Sequence, residues 1–192
     1  MDFKNRFNQK YKDNPNVFGT RPMPVLEKAL EYISGGTALD LGVGNGRNAL
    51  YLLSKNFDVT GVDMSEEGIE LLRKRVPEGS KLKLVVSSVL DFETDKKFDL
   101  VCAIGLLHFL NIEDINKLII KMKELTKDDG INVIAARMTQ NLRQDLLLVF
   151  KPNELKNFYM EGDWEIKEYQ EMDRGRAKLA SLIVQKQETR IP

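Results

Sequence analysis

Three glycines at alternate positions form the pattern that most strongly indicates chemistry in this chain: Gly42, Gly44 and Gly46. They follow the short apolar run Thr37–Leu41 and precede residues 49–53, whose apolar spacing predicts a helix. Glycine tolerates positive φ and lets the backbone approach a bound molecule closely, and a helix N-terminus offers unpaired N–H groups. The pattern therefore predicts a ligand-binding loop between a buried strand and a helix, with a tight turn that binds nothing as the alternative.

An acid at the end of the next predicted strand is the second chemical feature. The run Val59–Val62 predicts a strand that ends on Asp63, 21 residues after Gly42. A carboxylate in this place can accept hydrogen bonds from both hydroxyls of a ribose, and Met64 beside it is assigned to the same site. The alternative for Asp63 is a helix N-cap, but Ser65 fits that role better. Together the glycines and the acid predict a nucleoside cofactor.

The spacing of the glycines distinguishes two kinds of nucleoside cofactor. In the dinucleotide fingerprint G-x-G-x-x-G the last small residue lets helix and strand pack closely, whereas here the third glycine comes one position early and Arg47 follows it. Asp40, two residues before Gly42, would crowd the diphosphate of NAD but could hold a cationic ammonium. S-adenosylmethionine carries such an ammonium, so the pattern favours it over NAD. A carboxylate bonded to loop N–H groups is the alternative for Asp40, and an NAD-dependent oxidoreductase is the alternative for the whole chain.

Candidates for the reacting end of the site follow the fourth and fifth predicted strands. Gly105 and His108 come after the strand Phe98–Ile104, at the carboxyl edge where parallel sheets bind ligands. Gly105 could contact the methionine part of the cofactor, and His108, the only histidine, could be a catalytic base or pack between its apolar neighbours. Arginines bind oxyanions through charge-assisted hydrogen bonds, although each arginine here could instead form a salt bridge or be solvated. The arginine candidates are Arg137 at the end of a strand and Arg174 and Arg176 in a hairpin.

The predicted elements alternate along the chain, which is typical of a parallel sheet with helices on both faces. Apolar spacing predicts helices over Val25–Tyr32 and Ile112–Leu125, and Lys117, Lys121 and Lys123 would form the solvated face of the second helix. The other predicted elements are strands over Leu82–Val86, Ile131–Ala136, Trp164–Glu171 and Lys178–Lys186, helices over Ser65–Arg75 and Asn153–Tyr159, and a turn over Lys127–Gly130. The last two strands would form an antiparallel hairpin at one edge of the sheet. We expect one domain, with a lead-in at 1–24, a cofactor-binding core at 25–150 and a C-terminal helix and hairpin at 151–192.

Composition limits the class of protein. Of 192 residues, 29 are Lys or Arg and 29 are Asp or Glu, so no net charge favours nucleic acid or an anionic membrane. Cys102 is the single cysteine, so no disulfide forms within the chain, and its apolar neighbours predict that it is buried. One histidine and one cysteine make no metal cluster. The sequence has no signal-peptide pattern and no apolar run of about 18 residues, so we expect a cytoplasmic protein.

The glycine segment Thr37–Asn48 resembles the first motif of class I S-adenosylmethionine-dependent methyltransferases. Its ending, Gly-Asn-Gly-Arg-Asn, resembles more narrowly that of the tellurite-resistance, or TehB-type, branch. The similarity covers nearly the whole chain, at Tyr11, Gly19–Arg21, Tyr51–Leu52, Phe57–Val59, Asp63, Phe98–Leu100, Phe109–Leu110, Phe150–Leu155 and Tyr159–Glu165. This resemblance implies an α/β fold with a Rossmann-like, doubly wound sheet of seven strands, mostly parallel with an antiparallel C-terminal strand.

The resemblance also assigns residues to the cofactor. The glycine loop and Asp40 would meet its methionine part, Asp63 would hold the ribose, and the N-terminal segment would lie over the site. Arg21 matches an arginine of the family's N-terminal segment. It could pair with the methionine carboxylate, or it could stabilise the adjacent proline turn at the surface.

Two positions depart from the family's pattern. Many relatives carry an acid that binds the adenine amino group, where this chain has Ser87 and Ser88. A serine oxygen, or the backbone N–H of Ser88 or Val89, would bind the base instead. The tellurite branch also carries a His-Arg pair in its C-terminal hairpin, and this chain has Arg174 and Arg176 there.

The sequence thus predicts an enzyme that transfers a methyl group from S-adenosylmethionine to a small-molecule acceptor and leaves S-adenosylhomocysteine. The expected acceptor is an oxyanion such as tellurite or selenite, or a thiol, and neither a nucleic acid nor a membrane is expected as a partner. Anionic acceptors need no general base, so arginines facing the methyl group would serve them better than a carboxylate. The second alternative is a non-catalytic protein that binds S-adenosylmethionine.

Overall fold

The computed structural model of the chain describes residues 2–138, 146–173, 175 and 177–188. A seven-stranded sheet forms its centre, in the order β3-β2-β1-β4-β5-β7-β6. The strands are β1 (Gly36–Leu41), β2 (Phe57–Asp63), β3 (Leu82–Val86), β4 (Phe98–Ile104), β5 (Thr126–Arg137), β6 (Trp164–Asp173) and β7 (Lys178–Lys186). This arrangement confirms the predicted α/β, Rossmann-like sheet of seven strands.

The direction of the strands changes only near the end of the chain. Strands β1 to β5 pair in parallel, whereas β7 is antiparallel to both β5 and β6. The predicted antiparallel C-terminal strand and the predicted hairpin at one edge are therefore confirmed. Because β7 lies between β5 and β6, the later strand of the hairpin is interior and the earlier one forms the edge.

Six helices flank the sheet in the described part of the chain. They are α1 (Phe3–Asp13), α2 (Pro24–Ala29), α3 (Arg47–Ser54), α4 (Glu66–Arg75), α5 (Ile112–Glu124) and α6 (Glu154–Asn157). One face of the sheet packs against apolar residues of α2, α3 and α4, such as Leu26, Leu52 and Leu72. The other face packs against α5 and the segment around α6, including Leu118 and Tyr159. Helices thus cover both faces, as predicted.

Polar caps explain where two of these helices begin. Before α4 the Ser65 side chain accepts a hydrogen bond from the N–H of Gly68 at 3.1 Å, and before α5 the Asn111 side chain accepts one from the N–H of Asp114 at 2.9 Å. Acidic residues occupy the first turn of each helix and basic residues the last turn, which complements the helix dipole. The predicted boundaries of both helices are confirmed to within one residue.

Some elements differ from the predictions. The helix expected over Val25–Tyr32 ends at Ala29. The turn expected over Lys127–Gly130 falls within the bounds of β5, where it forms a bulge: Thr126 pairs with Phe98, pairing with β4 resumes at Ile131, and Asp129 between them has a φ of 60°. The N-terminal lead-in contains α1, which was not predicted even though its aromatic residues recur every four positions.

The lysines of α5 correct a further prediction. Lys117 is exposed and pairs loosely with Asp114 at 3.7 Å, as expected for a solvated face. Lys121 and Lys123 are partly buried, and each donates to backbone carbonyls elsewhere in the chain. Lys123 donates to the carbonyl of Phe158 at 2.7 Å. Two of the three lysines therefore join segments of the fold.

Cys102 lies in the middle of β4 and is fully buried, as predicted. Burial raises the pKa of its thiol well above the ordinary value, which keeps it protonated and unreactive. Over the described ranges, no group of His, Cys, Asp and Glu side chains could hold a metal ion. Over those same ranges, no helix has the length and apolarity needed to cross a membrane.

Candidate cofactor and acceptor site

A cavity of about 390 Å³ opens at the carboxyl edge of the sheet. Its volume falls within the range of roughly 300–1,000 Å³ that is usual for small-molecule sites. The loops after β1, β2 and β4 line it, together with the end of β5, the start of β7 and helix α1. The predicted site residues that line this cavity are Gly42, Gly44, Asp63, Met64, Val89, Gly105, His108 and Arg137.

The other predicted residues lie outside the cavity wall. Asp40 is buried beneath the glycine loop and Gly46 begins α3 on the side away from the cavity. Ser87 and Ser88 are partly buried in the turn after β3, next to Val89. Arg21 is exposed on the segment before α2. Arg174 and Arg176 lie outside the described residues.

Asp63 ends β2 and ties the glycine loop to α4. One carboxylate oxygen accepts from the N–H of Gly44 and the other from the N–H of Ser65, both at 2.8 Å. Burial raises the pKa of Asp63, and these backbone hydrogen bonds oppose the rise. An ionised carboxylate offers about four acceptor positions. Asp63 can therefore hold the loop and still accept hydrogen bonds from two ligand hydroxyls.

Asp40 lies near the end of β1 with 1% of its surface exposed. Its Oδ2 atom has no hydrogen-bond partner among the described residues, so the alternative of a carboxylate satisfied by loop N–H groups does not hold for this oxygen. Burial raises the pKa of Asp40 to about 7; the charge of Arg47 opposes the rise and that of Asp63 adds to it. A buried carboxylate without a partner is costly, and a cation nearby would favour its ionised form.

Side chains of helices α1 and α4 pack against the glycine loop. A Cβ atom on Gly44 would lie 2.3 Å from the hydroxyl of Tyr11, and one on Gly46 would lie 2.2 Å from a methyl of Leu72. Both glycines have positive φ. Packing by the protein therefore excludes any side chain at these positions, in addition to the close approach of a ligand that the sequence suggested.

Three polar residues of the Gly-Asn-Gly-Arg-Asn segment bind the N-terminal segment. Asn45 donates to the carbonyls of Pro15 and Gly19 at 3.0 and 3.1 Å, and Arg47 donates to the carbonyl of Phe18 at 2.6 Å. The side-chain oxygen of Asn48 accepts a hydrogen bond from the N–H of Met23 at 3.1 Å. The loop thus holds the segment between α1 and α2 in place at the rim of the cavity. The three binding residues are Asn45, Arg47 and Asn48.

Arg47 is one residue of the site whose role sequence reasoning missed. It was noted only because it breaks the dinucleotide spacing, yet it lines the cavity. A Cβ atom on Gly105 would lie 3.9 Å from its Nη2 atom, so the guanidinium reaches from the glycine loop to the loop after β4. Its position directly after the third glycine, at the start of a helix beside the ligand loop, could have indicated this role.

Aromatic rings form the outer wall of the cavity. Phe3 and Phe7 of α1 pack against Phe109, with ring centroids 6.1 and 5.0 Å apart. Phe7 also contacts Phe18, which packs edge to face against Tyr11 at 5.6 Å. The wall therefore joins α1 to the loop after β4, and most of its rings belong to the lead-in segment.

His108 and Arg137 lie at the ends of β4 and β5, at the opposite end of the cavity from Val89. His108 is 5% exposed and its ring centroid lies 4.4 Å from that of Phe109, so it both packs with an apolar neighbour and lines the cavity. The backbone carbonyl of His108 accepts from Leu147, and that of Arg137 from Phe150. The segment 146–150 thus supports both basic residues.

The residues present fit S-adenosylmethionine in three respects. The unsatisfied oxygen of Asp40 suits a site for a cation, and Asp63 has acceptor capacity for the ribose. In the part of the chain that the structure describes, no protein acceptor takes the backbone N–H of Val89 in the cavity wall. That N–H suits a ring nitrogen of adenine.

Solved structures place this fold among Rossmann-like methyltransferases. A Burkholderia thailandensis 1,6-didemethyltoxoflavin-N1-methyltransferase, solved with its acceptor and S-adenosylhomocysteine, has a TM-score of 0.80 and 20% identity and covers 97% of this chain and 88% of its own. This likeness concerns the fold alone. TehB from Haemophilus influenzae has a TM-score of 0.78 and 29% identity and covers 96% of this chain and 67% of its own.

Sequence similarity gives the family. The family described as tellurite resistance protein TehB matches residues 3–179, so the chain belongs to this family. The Haemophilus influenzae protein named "Probable S-adenosyl-L-methionine-dependent methyltransferase TehB" is 33% identical over 147 residues, which are 74% of this chain. Those residues are 51% of that relative, so the chain spans about half the length of such curated relatives.

Proposed function

We propose that this protein is an S-adenosylmethionine-dependent methyltransferase that acts on a small molecule. The observation that carries the proposal is the pair of acids beneath and beside the glycine loop. Asp40 has a buried oxygen without a partner, and Asp63 anchors the loop with acceptor capacity left over. A ribose in the cavity would use the spare acceptor positions of Asp63, and an ammonium near the glycine loop would favour the ionised form of Asp40 through its charge. S-adenosylmethionine carries both groups.

The bound cofactor supplies an electrophilic methyl group on a sulfonium, so the protein need only bind, orient and exclude water. Asp63 would hold the ribose hydroxyls and the Val89 N–H would bind the base. Arg47 lines the cavity and Arg21 does not, which favours Arg47 as the partner of the methionine carboxylate. The aromatic wall of α1 would exclude water from the sulfonium, since its rings border the same cavity.

We further propose that the acceptor binds at the ends of β4 and β5, and that residues 1–24 cover the site. The cofactor would lie over β3, β2 and β1, so the remaining part of the cavity is the one that His108 and Arg137 line. Arg137 would bind an anionic acceptor such as tellurite, selenite or a thiolate. His108 would take the proton of an acceptor that arrives protonated.

The cofactor assignment is tested by isothermal titration with S-adenosylhomocysteine and with NAD. We expect measurable binding of S-adenosylhomocysteine alone, and tighter binding of NAD would contradict the proposal. Transfer of a labelled methyl group to tellurite, selenite, thiols, small amines and RNA then tests the acceptor. Methylation of a small molecule supports the proposal. Binding without methylation of any acceptor would instead favour a protein that only binds the cofactor.

A further inference from the structure

We propose that Lys121 is a positioning residue, which holds the turn after β3 in the shape that presents the N–H of Val89 to the adenine of the cofactor. The turn comprises residues 87–92 and will be called the adenine turn. Lys121 lies on α5 and is not one of the residues that line the cavity. The inference rests on the proposed function, because it concerns how the same cofactor is bound.

The ammonium of Lys121 donates hydrogen bonds to three backbone carbonyls of the adenine turn. It donates to the carbonyl of Phe92 at 2.9 Å and to that of Val89 at 3.4 Å, and it also donates to the carbonyl of Leu90. A lysine ammonium has three N–H donors and no acceptor. Three carbonyls around one ammonium therefore use all of its donors, and the side chain is fixed at both ends.

Hydrogen bonds within the adenine turn converge on Ser88. Its carbonyl accepts from the N–H groups of Asp91 and Phe92 at 3.2 and 3.0 Å, and its hydroxyl accepts from the N–H of Leu90 at 3.2 Å. The carbonyl of Ser88 and the N–H of Val89 belong to the same peptide unit. These two donors, together with the hydroxyl of Ser87 at 3.0 Å from the same carbonyl, polarise that unit and strengthen the N–H as a donor.

The adenine turn is also connected to the ribose side of the site. The N–H of Ser87 donates to the carbonyl of Asp63 at 3.0 Å, so one end of the turn is tied to the residue that would hold the ribose. Lys121 fixes the other end. Val89 lies between these two anchors, is 5% exposed and lines the cavity. The two anchors together set the distance between the base-binding N–H and the ribose-binding carboxylate.

The chain supplies a matched control on the same helix. Lys117 precedes Lys121 by one helical turn, is largely exposed, and pairs only with Asp114 at 3.7 Å. Replacing either lysine by methionine removes one positive charge and keeps a long, flexible side chain. The variants K121M and K117M therefore differ in whether the adenine turn loses its anchor.

The experiment measures the binding of two ligands to the parent and to both variants by isothermal titration. S-adenosylhomocysteine offers an unprotonated ring nitrogen that accepts the Val89 N–H, whereas S-inosylhomocysteine carries a proton on the same nitrogen and cannot accept. We expect K121M to bind S-adenosylhomocysteine about tenfold more weakly, as for the loss of one good hydrogen bond. Its affinity for S-inosylhomocysteine should change by less than about twofold, and K117M should match the parent for both ligands.

The possible outcomes distinguish failure of the proposed role of Lys121 from failure of the proposed function. Equal weakening of both ligands in K121M, or no weakening, would overturn the role of Lys121, because either result shows that base recognition does not depend on it. A parent protein that binds no S-adenosylhomocysteine would overturn the proposed function itself. Should K121M fail to fold, the variant K121Q retains two N–H donors, and hydrogen exchange of residues 87–92 should then be faster than in the parent. Unchanged exchange there would also overturn the proposal.

Discussion

The two ends of the cavity are built in different ways. At the end proposed for the cofactor, backbone hydrogen bonds hold the loop: the N–H groups of Gly42 and Val43 donate to the carbonyl of Val62 at 2.8 and 3.0 Å, and Asp63 accepts the N–H groups of Gly44 and Ser65. At the end proposed for the acceptor, the candidate groups are the side chains of His108, after β4, and Arg137, at the end of β5, whose backbone carbonyls accept from the segment 146–150.

Because of this difference, the two ends of the cavity differ in how readily substitutions can change their chemistry. A loop fixed by backbone hydrogen bonds and by glycine packing tolerates few substitutions, so the cofactor end requires a particular short motif. An end built from side chains on separate loops can change its chemistry one residue at a time. We therefore expect substitutions at the cofactor end to affect stability and cofactor affinity together, and those at the acceptor end to affect acceptor use alone.

The largest effect should come from Gly46→Ala. The added Cβ would lie 2.2 Å from fully buried Leu72, at a φ of 85°, so strain and overpacking together should lower the free energy of unfolding by about 2–4 kcal/mol. Gly79→Ala is the matched control, because Gly79 has a φ of 79° with nothing within 4 Å of the added Cβ. It should cost about 1 kcal/mol. Urea denaturation measures both, and equal losses would show that packing behind the loop is unimportant.

Arg137→Ala should affect the acceptor end alone. Loss of a charge-assisted hydrogen bond to an anionic acceptor should raise the acceptor KM by roughly 10- to 100-fold. The affinity for S-adenosylhomocysteine should stay within about twofold, since Arg137 lies at the end of β5, away from Asp63. Steady-state kinetics and titration check the two halves of this prediction. Weaker cofactor binding in this variant would contradict the division of the cavity into two ends.

Asp63→Ala should have the opposite pattern. The cofactor affinity should fall by about 1–3 kcal/mol as the hydrogen bonds to the ribose are lost. Asp58→Ala, which removes an acid from the same strand and breaks only an exposed pair with Lys81 at 3.1 Å, is the control and should bind normally. Titration with S-adenosylhomocysteine measures both variants. An unchanged affinity in Asp63→Ala would mean that other residues hold the ribose.

The last prediction concerns pH and Asp40. Its folded pKa of about 7 lies above the unfolded value of about 3.9, so between these values the folded state keeps a proton that the unfolded chain has released. Its contribution to stability is therefore present at low pH and is lost as the pH rises to about 7, by up to about 1.4 kcal/mol per pH unit.

Comparison of the parent with Asp40→Asn across this pH range tests the prediction. The free energy of unfolding of the parent should fall relative to that of the variant as the pH rises, and the difference should level off above about pH 7. An ammonium bound beside Asp40 favours the ionised carboxylate, so S-adenosylhomocysteine should bind the parent more tightly as the pH rises through the same range. Parallel stability curves for parent and variant would show that Asp40 titrates in its ordinary range.

Local patterns were sufficient to predict most of the fold. Strands such as β3 and β4 are mostly apolar, and α4 and α5 have capping residues before an apolar period, so their boundaries follow from short-range chemistry. The bend expected at Lys127–Gly130 lies within the bounds of β5 because Thr126, before the bend, also pairs with β4. Tertiary pairing of this kind leaves no local mark in the sequence.

The parts of the site that depend on a short backbone motif were predictable from the sequence, and the parts that depend on long-range contacts were not. The glycine loop and Asp63 follow from spacing, and both line the cavity. The roles of Tyr11 and Lys121 were not predicted, because they depend on contacts with Gly44 and Val89, which lie far away in sequence. Lys121 in particular is indistinguishable from Lys117 in a helical pattern. Only the position of α5 against the adenine turn separates them.

The place of β7 between β5 and β6 has a consequence for synthesis of the chain. Residues 138–177 separate β5 from β7, so the ribosome releases β5 well before the strand that pairs with its outer side. During that interval β5 presents a row of unpaired N–H and C=O groups, the kind of edge on which chains aggregate. A nascent chain stalled before Lys178 should therefore need a chaperone, and release from it should coincide with completion of the hairpin.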